Sequence, residues 1–121
     1  MRDHRSLEAW QQARILSRVG LRLARDHWRP FAAGAFAQLQ RSSLSVRLNI
    51  AEGYARFAPR QFRQFLTVAY GSAIETEELL DLLVEEGAID ANRGREAIRV
   101  ANRCQRLLLG LLKRARDQSS S

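Results

Sequence analysis

The spacing of the arginines is the feature of this sequence that most directly indicates a binding chemistry. A first row recurs every three or four residues, which places its members within about 80° of one another on a helix. It consists of Arg14, Arg18, Arg22, Arg25 and Arg29. A second row nearer the other end of the chain follows the same rule and consists of Arg95, Arg99, Arg103, Arg106 and Lys113. Guanidinium groups bind phosphate oxygens, so the two rows predict non-specific binding of RNA or DNA through its backbone.

Two other interpretations of the rows stay open. In the first, the row is a solvated helix face that serves only solubility. In the second, its arginines pair with acidic residues of another subunit. Residues 61–90 carry Arg63 against seven acidic residues, a net charge of −6, inside a chain whose net charge is +7. A basic chain with such an acidic block attracts copies of itself as well as polyanions.

Composition excludes several classes of protein. The 121 residues suffice for one domain with one hydrophobic core. No apolar run approaches the roughly 18 residues of a membrane span, and the N-terminus lacks the apolar stretch of a signal peptide. The single cysteine rules out an internal disulfide and a cysteine-based zinc cluster. We therefore expect a cytoplasmic protein with no membrane partner.

Few residues are candidates for catalysis or metal binding. His4 and His27 stand alone and are expected to be surface or capping residues. Cys104 falls on an apolar helix face, which is typical of a small buried hydrophobic residue. No metal-binding or nucleophile motif occurs, and Glu52 and Glu75 are expected to lie far apart along neighbouring helices. The sequence predicts no enzyme, no metal and no cofactor.

Four helices with short loops are predicted to position these residues. They run from about Ser6 to His27, from Ala33 to Ala55, from Pro59 to a stop at Gly87, and onward from an N-cap at Asp90. Connections of about 2–6 residues favour an antiparallel up-down-up-down bundle. We expect one domain over residues 1–118 and a disordered polar tail over residues 119–121.

The two middle helices have more apolar surface than one bundle needs. Steps of three and four residues predict a core stripe on each of the last three helices: Phe36, Leu39, Ser43, Val46 and Ile50; Phe62, Leu66, Ala69, Ala73, Thr76, Leu80 and Leu83; and Ala97, Ala101, Cys104, Leu108, Leu111 and Ala115. In the second helix, Ala37, Leu44, Leu48 and Ala51 lie about 140° from its core stripe. The third helix has a second apolar strip next to its core stripe, where one wide core face is an equally good interpretation. We expect a partner subunit to cover this surface in a symmetric homo-oligomer. The residues expected in that interface are Leu44, Leu48, Ala51, Phe65 and Ser72.

A polar group shares one face of the second helix. It consists of Ser45, Asn49, Glu52 and Arg56. Glu75 interrupts the apolar strip of the third helix, and a buried carboxylate needs partners. Its expected partners are Gln38, Gln40 or Arg41, and a structural network is the expected role.

Residues 41–75 resemble the signature of a family of small bacterial four-helix bundles linked to intervening sequences of 23S ribosomal RNA. The first part of the pattern, SxxxNIAEGxxR, is met by Asn49, Ile50, Ala51, Glu52, Gly53 and Arg56. The second part, FxxFLxxAxGSxxE, is met by Phe62, Phe65, Leu66, Ala69, Gly71, Ser72 and Glu75. Many members have a proline shortly before the asparagine, where this chain has Arg47 and Leu48.

The resemblance implies a four-helix bundle that assembles as a homopentameric ring and has no catalytic activity. It also implies kinship with accessory proteins of diversity-generating retroelements, which are basic bundles that bind nucleic acid and a reverse transcriptase. Residues and resemblance together predict a homo-oligomeric, nucleic-acid-binding bundle. A protein-interaction scaffold with no nucleic-acid role is the alternative.

Overall fold

Four α-helices make up almost all of the chain. A computed structural model describes residues 3–120, and its side chains over residues 3–115. The helices are α1 (Glu8–His27), α2 (Ala33–Tyr54), α3 (Pro59–Glu85) and α4 (Ala91–Ser120). Single 3-10 turns at His4–Ser6 and Pro30–Ala32 precede α1 and α2. Residues 3–120 contain no strand, so the predicted all-α class with four helices is confirmed.

Local chemistry explains three helix boundaries, namely the start and end of α3 and the start of α4. Pro59 occupies the first turn of α3, where its missing N–H is not needed. Gly87 ends α3 with φ of 65°, a left-handed conformation that favours glycine, while the N–H of Ala88 donates to the carbonyl of Leu83 at 2.8 Å. The carboxylate of Asp90 accepts the N–H of Arg93 at 2.9 Å and caps α4. These three boundary predictions are confirmed.

The ends of α1 and α4 differ from the sequence prediction. Ser6 is not the N-cap of α1, because it belongs to the preceding 3-10 turn, in which Asp3 accepts the N–H of Arg5 at 3.0 Å. The α1 helix begins two residues later, at Glu8. The backbone of α4 stays helical to Ser120, within the tail predicted over residues 119–121, while Ser121 lies outside the described residues.

The stripes predicted from spacing form the hydrophobic core. In α2 the stripe of Phe36, Leu39, Ser43, Val46 and Ile50 is fully buried. The core has two parts along the bundle, one around Trp10, Leu16 and Leu108 and the other around Leu23, Phe36 and Leu80. In these contacts α2 packs on α1 and α3, and α4 packs on α3 and α1. The arginine-bearing faces of α1 and α4 therefore point away from the core.

Two glycines allow α2 to approach its neighbours closely. A Cβ on Gly20 would lie 3.1 Å from the Cβ of Ser43, and a Cβ on Gly53 would lie 3.1 Å from the Cβ of Phe65. Both distances are tighter than ordinary van der Waals contact, so no larger residue fits without a shift. Gly20 therefore fixes how deeply α1 sits against α2.

Candidate nucleic-acid interface

The arginine row of α1 is exposed, and its middle part is unpaired. Arg14, Arg18 and Arg22 are exposed, and their guanidinium groups form no hydrogen bond or ion pair with any residue that the structure describes. Between them lie Ile15 and Leu21, with 41% and 59% of their surface exposed. Each of these guanidinium groups keeps its full set of N–H donors for an external acceptor. We name Arg14, Arg18 and Arg22 the free row.

The arginine row of α4 is exposed but bound to neighbouring side chains. Arg99 pairs with Glu96, and Arg103 pairs with Glu8 of α1 at 2.9 Å. The other two donate to asparagines, Arg95 to Asn92 at 2.8 Å and Arg106 to Asn102. We name Arg95, Arg99, Arg103 and Arg106 the bound row. A phosphate must displace a partner to gain full access to any of its members.

A groove of about 500 Å³ runs along the bound row. Its polar lining consists of Gln12 from α1 and Glu96, Arg99, Asn102, Arg103 and Arg106 from α4. The Glu8–Arg103 ion pair bridges the two helices beside it. These contacts place the arginine-bearing surfaces of α1 and α4 side by side. Such a groove can hold phosphate oxygens on guanidinium and amide donors.

Asp26 anchors the far end of α1 to the start of α4. Its carboxylate accepts from Arg25 at 2.9 Å and from Arg93 at 3.1 Å. The hydrogen bond from Arg25, assisted by Arg93, lowers the pKa of Asp26 below its ordinary value of 3.8. The same pair raises the pKa of Arg25. Arg25 was expected in the nucleic-acid surface, but unlike the free row it has a carboxylate beside it.

Hydroxyl groups of the sequence motif lie inside the α2–α3 contact. Ser45 and Ser72 share a hydrogen bond of 2.8 Å, and Asn49 donates to the Ser45 hydroxyl at 2.9 Å. Thr76 donates to the Ser42 hydroxyl at 2.8 Å. Ser72 is buried in this contact within the chain, which corrects its expected place in an interface with another copy.

Glu52 and Arg56 form the predicted ion pair at the end of α2. Their side chains meet at 3.0 Å, one helical turn apart. The guanidinium carbon of Arg56 also lies 5.2 Å from the ring centroid of Phe65, within cation–π distance. Gly53 lies between them in the sequence and gives Phe65 room to approach α2. These motif residues therefore join α2 to α3.

Glu75 and Gly71 find no counterpart within the described chain. Arg41 donates to Gln38 at 2.9 Å, and neither of them nor Gln40 bonds to Glu75, so the expected partnership is wrong. Glu75 is exposed, and no residue that the structure describes bonds to it. A Cβ on Gly71 would meet nothing within 4 Å. Both residues lie on the outer surface of α3, where packing within the monomer places no demand on them.

The second apolar strip of α2 is exposed, as its angle from the core predicts. Leu44 and Leu48 are 47% and 51% exposed, and Val68 of α3 is 51% exposed. Ala51 and Phe65 are half-buried. Leu44, Leu48 and Val68 together form an apolar surface that the monomer leaves in water.

The histidines and the cysteine occupy structural positions. His27 caps the end of α1, where its Nδ1 lies 3.2 Å from the carbonyl of Leu23 and its Nε2 accepts the N–H of Asp90 at 3.4 Å. His4 packs edge-on against Trp10. Burial raises the pKa of the Cys104 thiol to about 12. The predicted buried role of Cys104 and the capping role of His27 are confirmed.

Sequence analysis missed three polar residues that connect helices or line grooves. Arg47 donates to the Ser17 hydroxyl at 3.3 Å, and its guanidinium carbon lies 5.3 Å from the centroid of a Trp10 ring. Glu77 of α3 accepts from Gln105 of α4 at 2.8 Å. Arg63 lines a groove between α3 and α4. Its one signal in the sequence was that it is the single basic residue among residues 61–90.

No helix in the described part of the chain combines the length and apolar character needed to cross a membrane. A crystal structure of a protein of unknown function from the S23 ribosomal protein family of Bacteroides thetaiotaomicron matches with a TM-score of 0.77. The two are 21% identical over 87% of this chain and 98% of the other, a likeness that shows the four-helix fold. No protein with curated annotation matches significantly.

The family model of the 23S rRNA-intervening sequence proteins matches residues 5–110. The match spans all of α1 to α3 and most of α4, and it includes the paired motifs from Asn49 to Glu75. The resemblance read from those motifs is thereby confirmed. The chain belongs to the 23S rRNA-intervening sequence protein family.

Proposed function

We propose that this protein is a non-enzymatic, homo-oligomeric bundle that binds RNA or DNA without sequence specificity through its arginine surfaces. The observation that carries the proposal is the free row: Arg14, Arg18 and Arg22 are exposed on one helix face with no partner in the described chain. Unpaired guanidinium groups spaced along a helix match the repeating charge of a phosphate backbone. The bound row and its groove extend the same surface.

An antiparallel up-down-up-down arrangement of the helices is part of the proposal. Contacts at successive positions support it: Ser45 meets Ser72, and Ser42 meets Thr76, so positions fall along α2 as they rise along α3. Short connections at residues 55–58 and 86–90 support the same arrangement. It places the free row and the bound row on neighbouring helices.

The absence of an enzyme function is likewise a proposal. It is supported by the roles of the titratable residues that the sequence singled out. Glu52 is paired with Arg56, His27 caps α1, and Cys104 has a pKa of about 12 that keeps its thiol protonated near neutral pH. We also propose that the protein acts in the cytoplasm, since its single cysteine fits a reducing compartment.

Nucleic-acid binding is tested by removing charge from the free row. Fluorescence anisotropy with a labelled single-stranded RNA and a DNA duplex measures affinity between about 50 and 200 mM salt. For wild type we expect affinity to fall steeply with salt, because bound phosphates release counterions. R14Q/R18Q/R22Q should weaken binding by about 100-fold and flatten the salt dependence.

The matched control removes three charges elsewhere. R41Q/R56Q/R60Q has the same net charge as the free-row variant, but Arg41, Arg56 and Arg60 lie outside both rows. It should lose less than about 5-fold in affinity, because distant exposed charges are screened. Equal losses in the two triple variants would contradict the proposal, since binding would then depend on net charge alone.

Self-association is the second part of the proposal, and a closed ring of five chains is the form that family membership favours. The exposed surface of Leu44, Leu48 and Val68 supports it, as does the glycine at position 71, which leaves room for a close neighbour. The acidic side of α3, with Glu78 and Glu85, complements the basic rows of another copy.

Sedimentation or light scattering measures the solution mass. Wild type should have a mass near five times 13.8 kDa. L44E/L48E should fall toward 13.8 kDa, because it places two charges in the apolar contact. The control I15E/L21E changes two equally exposed aliphatic residues of α1 and should keep the wild-type mass. A dilute wild type that sediments as a single chain would overturn self-association.

A protein-interaction scaffold is the second candidate function. The same exposed leucines favour it, because they fit the side chains of a different protein as well as those of a second copy. If the wild-type oligomer binds RNA or DNA at low salt no more strongly than an arbitrary basic protein does, this candidate is favoured. A reverse transcriptase is the partner class to test first, given the kinship implied by the motifs.

A further inference from the structure

Arg63 occupies an unusual position for a charged residue. It is half-buried in α3, and its Nε is fully buried with no hydrogen-bond acceptor in the part of the chain that the structure describes. Buried polar donors almost always have a partner, because leaving one unpaired is unfavourable. It is also the single basic residue among residues 61–90. The Nη groups of Arg63 also bond to no described residue and are not buried, so the guanidinium can take an acceptor from outside the described chain through them.

The surroundings of Arg63 form a groove of about 370 Å³ between α3 and α4. Arg63 and Thr67 line it from α3, and Leu109, Leu112 and Lys113 line it from α4. Lys113 is exposed and has no bonding partner among the side chains described. Thr67 donates to the carbonyl of Arg63 at 2.8 Å, which ties the hydroxyl to its own helix. The groove therefore has two cations and no carboxylate in its described lining.

We propose that this groove binds a phosphate monoester. A guanidinium and an ammonium on opposite walls match the near-double negative charge that a monoester carries at neutral pH, whereas a phosphodiester carries a single charge. The leucine walls reduce the local dielectric and strengthen both contacts. A volume of about 370 Å³ lies within the range of small-ligand sites. The proposal does not rest on the free row and stands whether or not that row binds nucleic acid.

Two sources supply this chemistry, a free nucleotide and the terminal phosphate of a nucleic-acid strand. The position of the groove along α4 favours the terminal phosphate of a strand. Lys113 follows Arg106 of the bound row by two helical turns, or about 10 Å along α4. A strand whose terminal phosphate occupies the groove would continue along that row.

Side-chain NMR of the arginine Nε–H groups tests the site directly. Wild type is titrated with AMP, with adenosine as the ligand that lacks phosphate, and the Arg63 Nε–H resonance is followed. AMP should shift this resonance and adenosine should not. R63Q and K113Q should each weaken AMP binding by about 10-fold or more, since each removes a charge-assisted contact.

Matched controls remove one charge from each helix without touching the groove. R60Q on α3 and R114Q on α4 should change AMP affinity by less than about 3-fold. Thermal unfolding checks that R63Q folds, and K113Q gives an independent result because Lys113 is exposed. Equal effects of R63Q and R60Q, or no shift of the Arg63 resonance with AMP, would overturn the proposal.

Oligonucleotides distinguish the two sources. Decamer RNAs with a 5′-phosphate or a 5′-hydroxyl are compared on the R14Q/R18Q/R22Q background, where the free row is absent. Preference for the phosphorylated strand, lost in R63Q, assigns the site to strand ends, and AMP binding without that preference assigns it to free nucleotides. Asp117 lies four residues after Lys113, so D117N is included. AMP binding seen in D117N alone would overturn the proposal, because the chain's own carboxylate would then close the groove.

Discussion

The free row and the bound row have the same residue type and the same helical spacing, yet their surroundings differ. Arg14, Arg18 and Arg22 on α1 have no partner among the described residues, whereas every member of the α4 row bonds to a nearby oxygen. In α4, Asn92, Glu96 and Asn102 stand three or four residues from Arg95, Arg99 and Arg106 and bond to them. In α1 the one acidic residue at such a distance from the free row is Asp26, and its carboxylate pairs with Arg25 and Arg93 instead of Arg22. Arg103 forms its ion pair with Glu8 of the neighbouring helix α1.

This contrast separates the presence of arginine from its availability. A phosphate that meets the free row replaces water alone, but at the bound row it competes with a carboxylate or amide already in place. Exposed ion pairs contribute little stability, so the competition reduces affinity without preventing binding. Binding of nucleic acid should therefore depend mainly on the free row of α1, and the groove along the bound row of α4 should contribute less.

The largest expected effect comes from removing each row in turn. R14Q/R18Q/R22Q should weaken RNA binding by about 100-fold, because three available charge-assisted contacts are lost. R99Q/R103Q/R106Q removes the same charge and should cost about 10-fold or less. Fluorescence anisotropy at one fixed salt concentration makes the comparison, and a larger loss in the α4 variant would reverse the order that we assign to the rows.

The second effect concerns how α1 is held in place. G20A should destabilise the fold by about 1–2 kcal/mol, because its Cβ would crowd Ser43 of α2 and force the helices apart. G110A makes the same change in α4, where the nearest atom would be the Nη1 of Arg114 at 3.5 Å, an ordinary contact. It should stabilise the fold by up to about 1 kcal/mol through helix propensity.

Chemical denaturation measures both glycine variants. The changes in unfolding free energy are expected to have opposite signs. A general effect of replacing glycine would have the same sign in both variants and can therefore be recognised. A neutral G20A would mean that Ser43 moves aside freely and that the depth of α1 is not fixed at this contact. The position of the free row would then be less constrained than its packing indicates.

The sequence predicted the helices and their core because both follow from periodicity. Leu39, Leu80 and Leu108 were placed in the core by steps of three and four, and Pro59 and Gly87 marked boundaries through their own backbone chemistry. The start of α1 was misplaced at Ser6, since a serine before an apolar run fits a 3-10 turn as well as a cap.

The state of each arginine was beyond sequence reasoning. Spacing placed both rows on outer faces, but pairing across helices, as between Glu8 and Arg103, depends on how α1 and α4 pack together. Arg63 was missed for the same reason, because its groove includes α4 residues some fifty positions away in the chain. Ser72 was assigned to the outer surface although its hydroxyl turns inward to Ser45.

A third prediction converts the bound row toward the free row. E8Q/E96Q removes the carboxylates that hold Arg103 and Arg99, and RNA affinity should rise by about 3- to 5-fold. E52Q/E86Q removes two exposed carboxylates that contact neither row and should raise affinity by less than about 2-fold. Identical gains in the two variants would show that net charge alone matters and that pairing does not limit the bound row.

The smallest expected effect lies where α1 and α4 are joined by Asp26. Its pKa is lowered in the folded protein by Arg25 and Arg93, so the ionised carboxylate stabilises the fold above its ordinary pKa of 3.8. That contribution is lost as pH falls through the lowered folded value. D26N should therefore melt slightly below wild type at neutral pH, and the two melting temperatures should converge as the pH falls through the lowered pKa of folded Asp26. Because the pair is exposed, salt should also reduce the difference. A difference that persists in strong acid would mean that Asp26 stabilises the fold through its hydrogen bonds alone, and α1 would be held to α4 independently of charge.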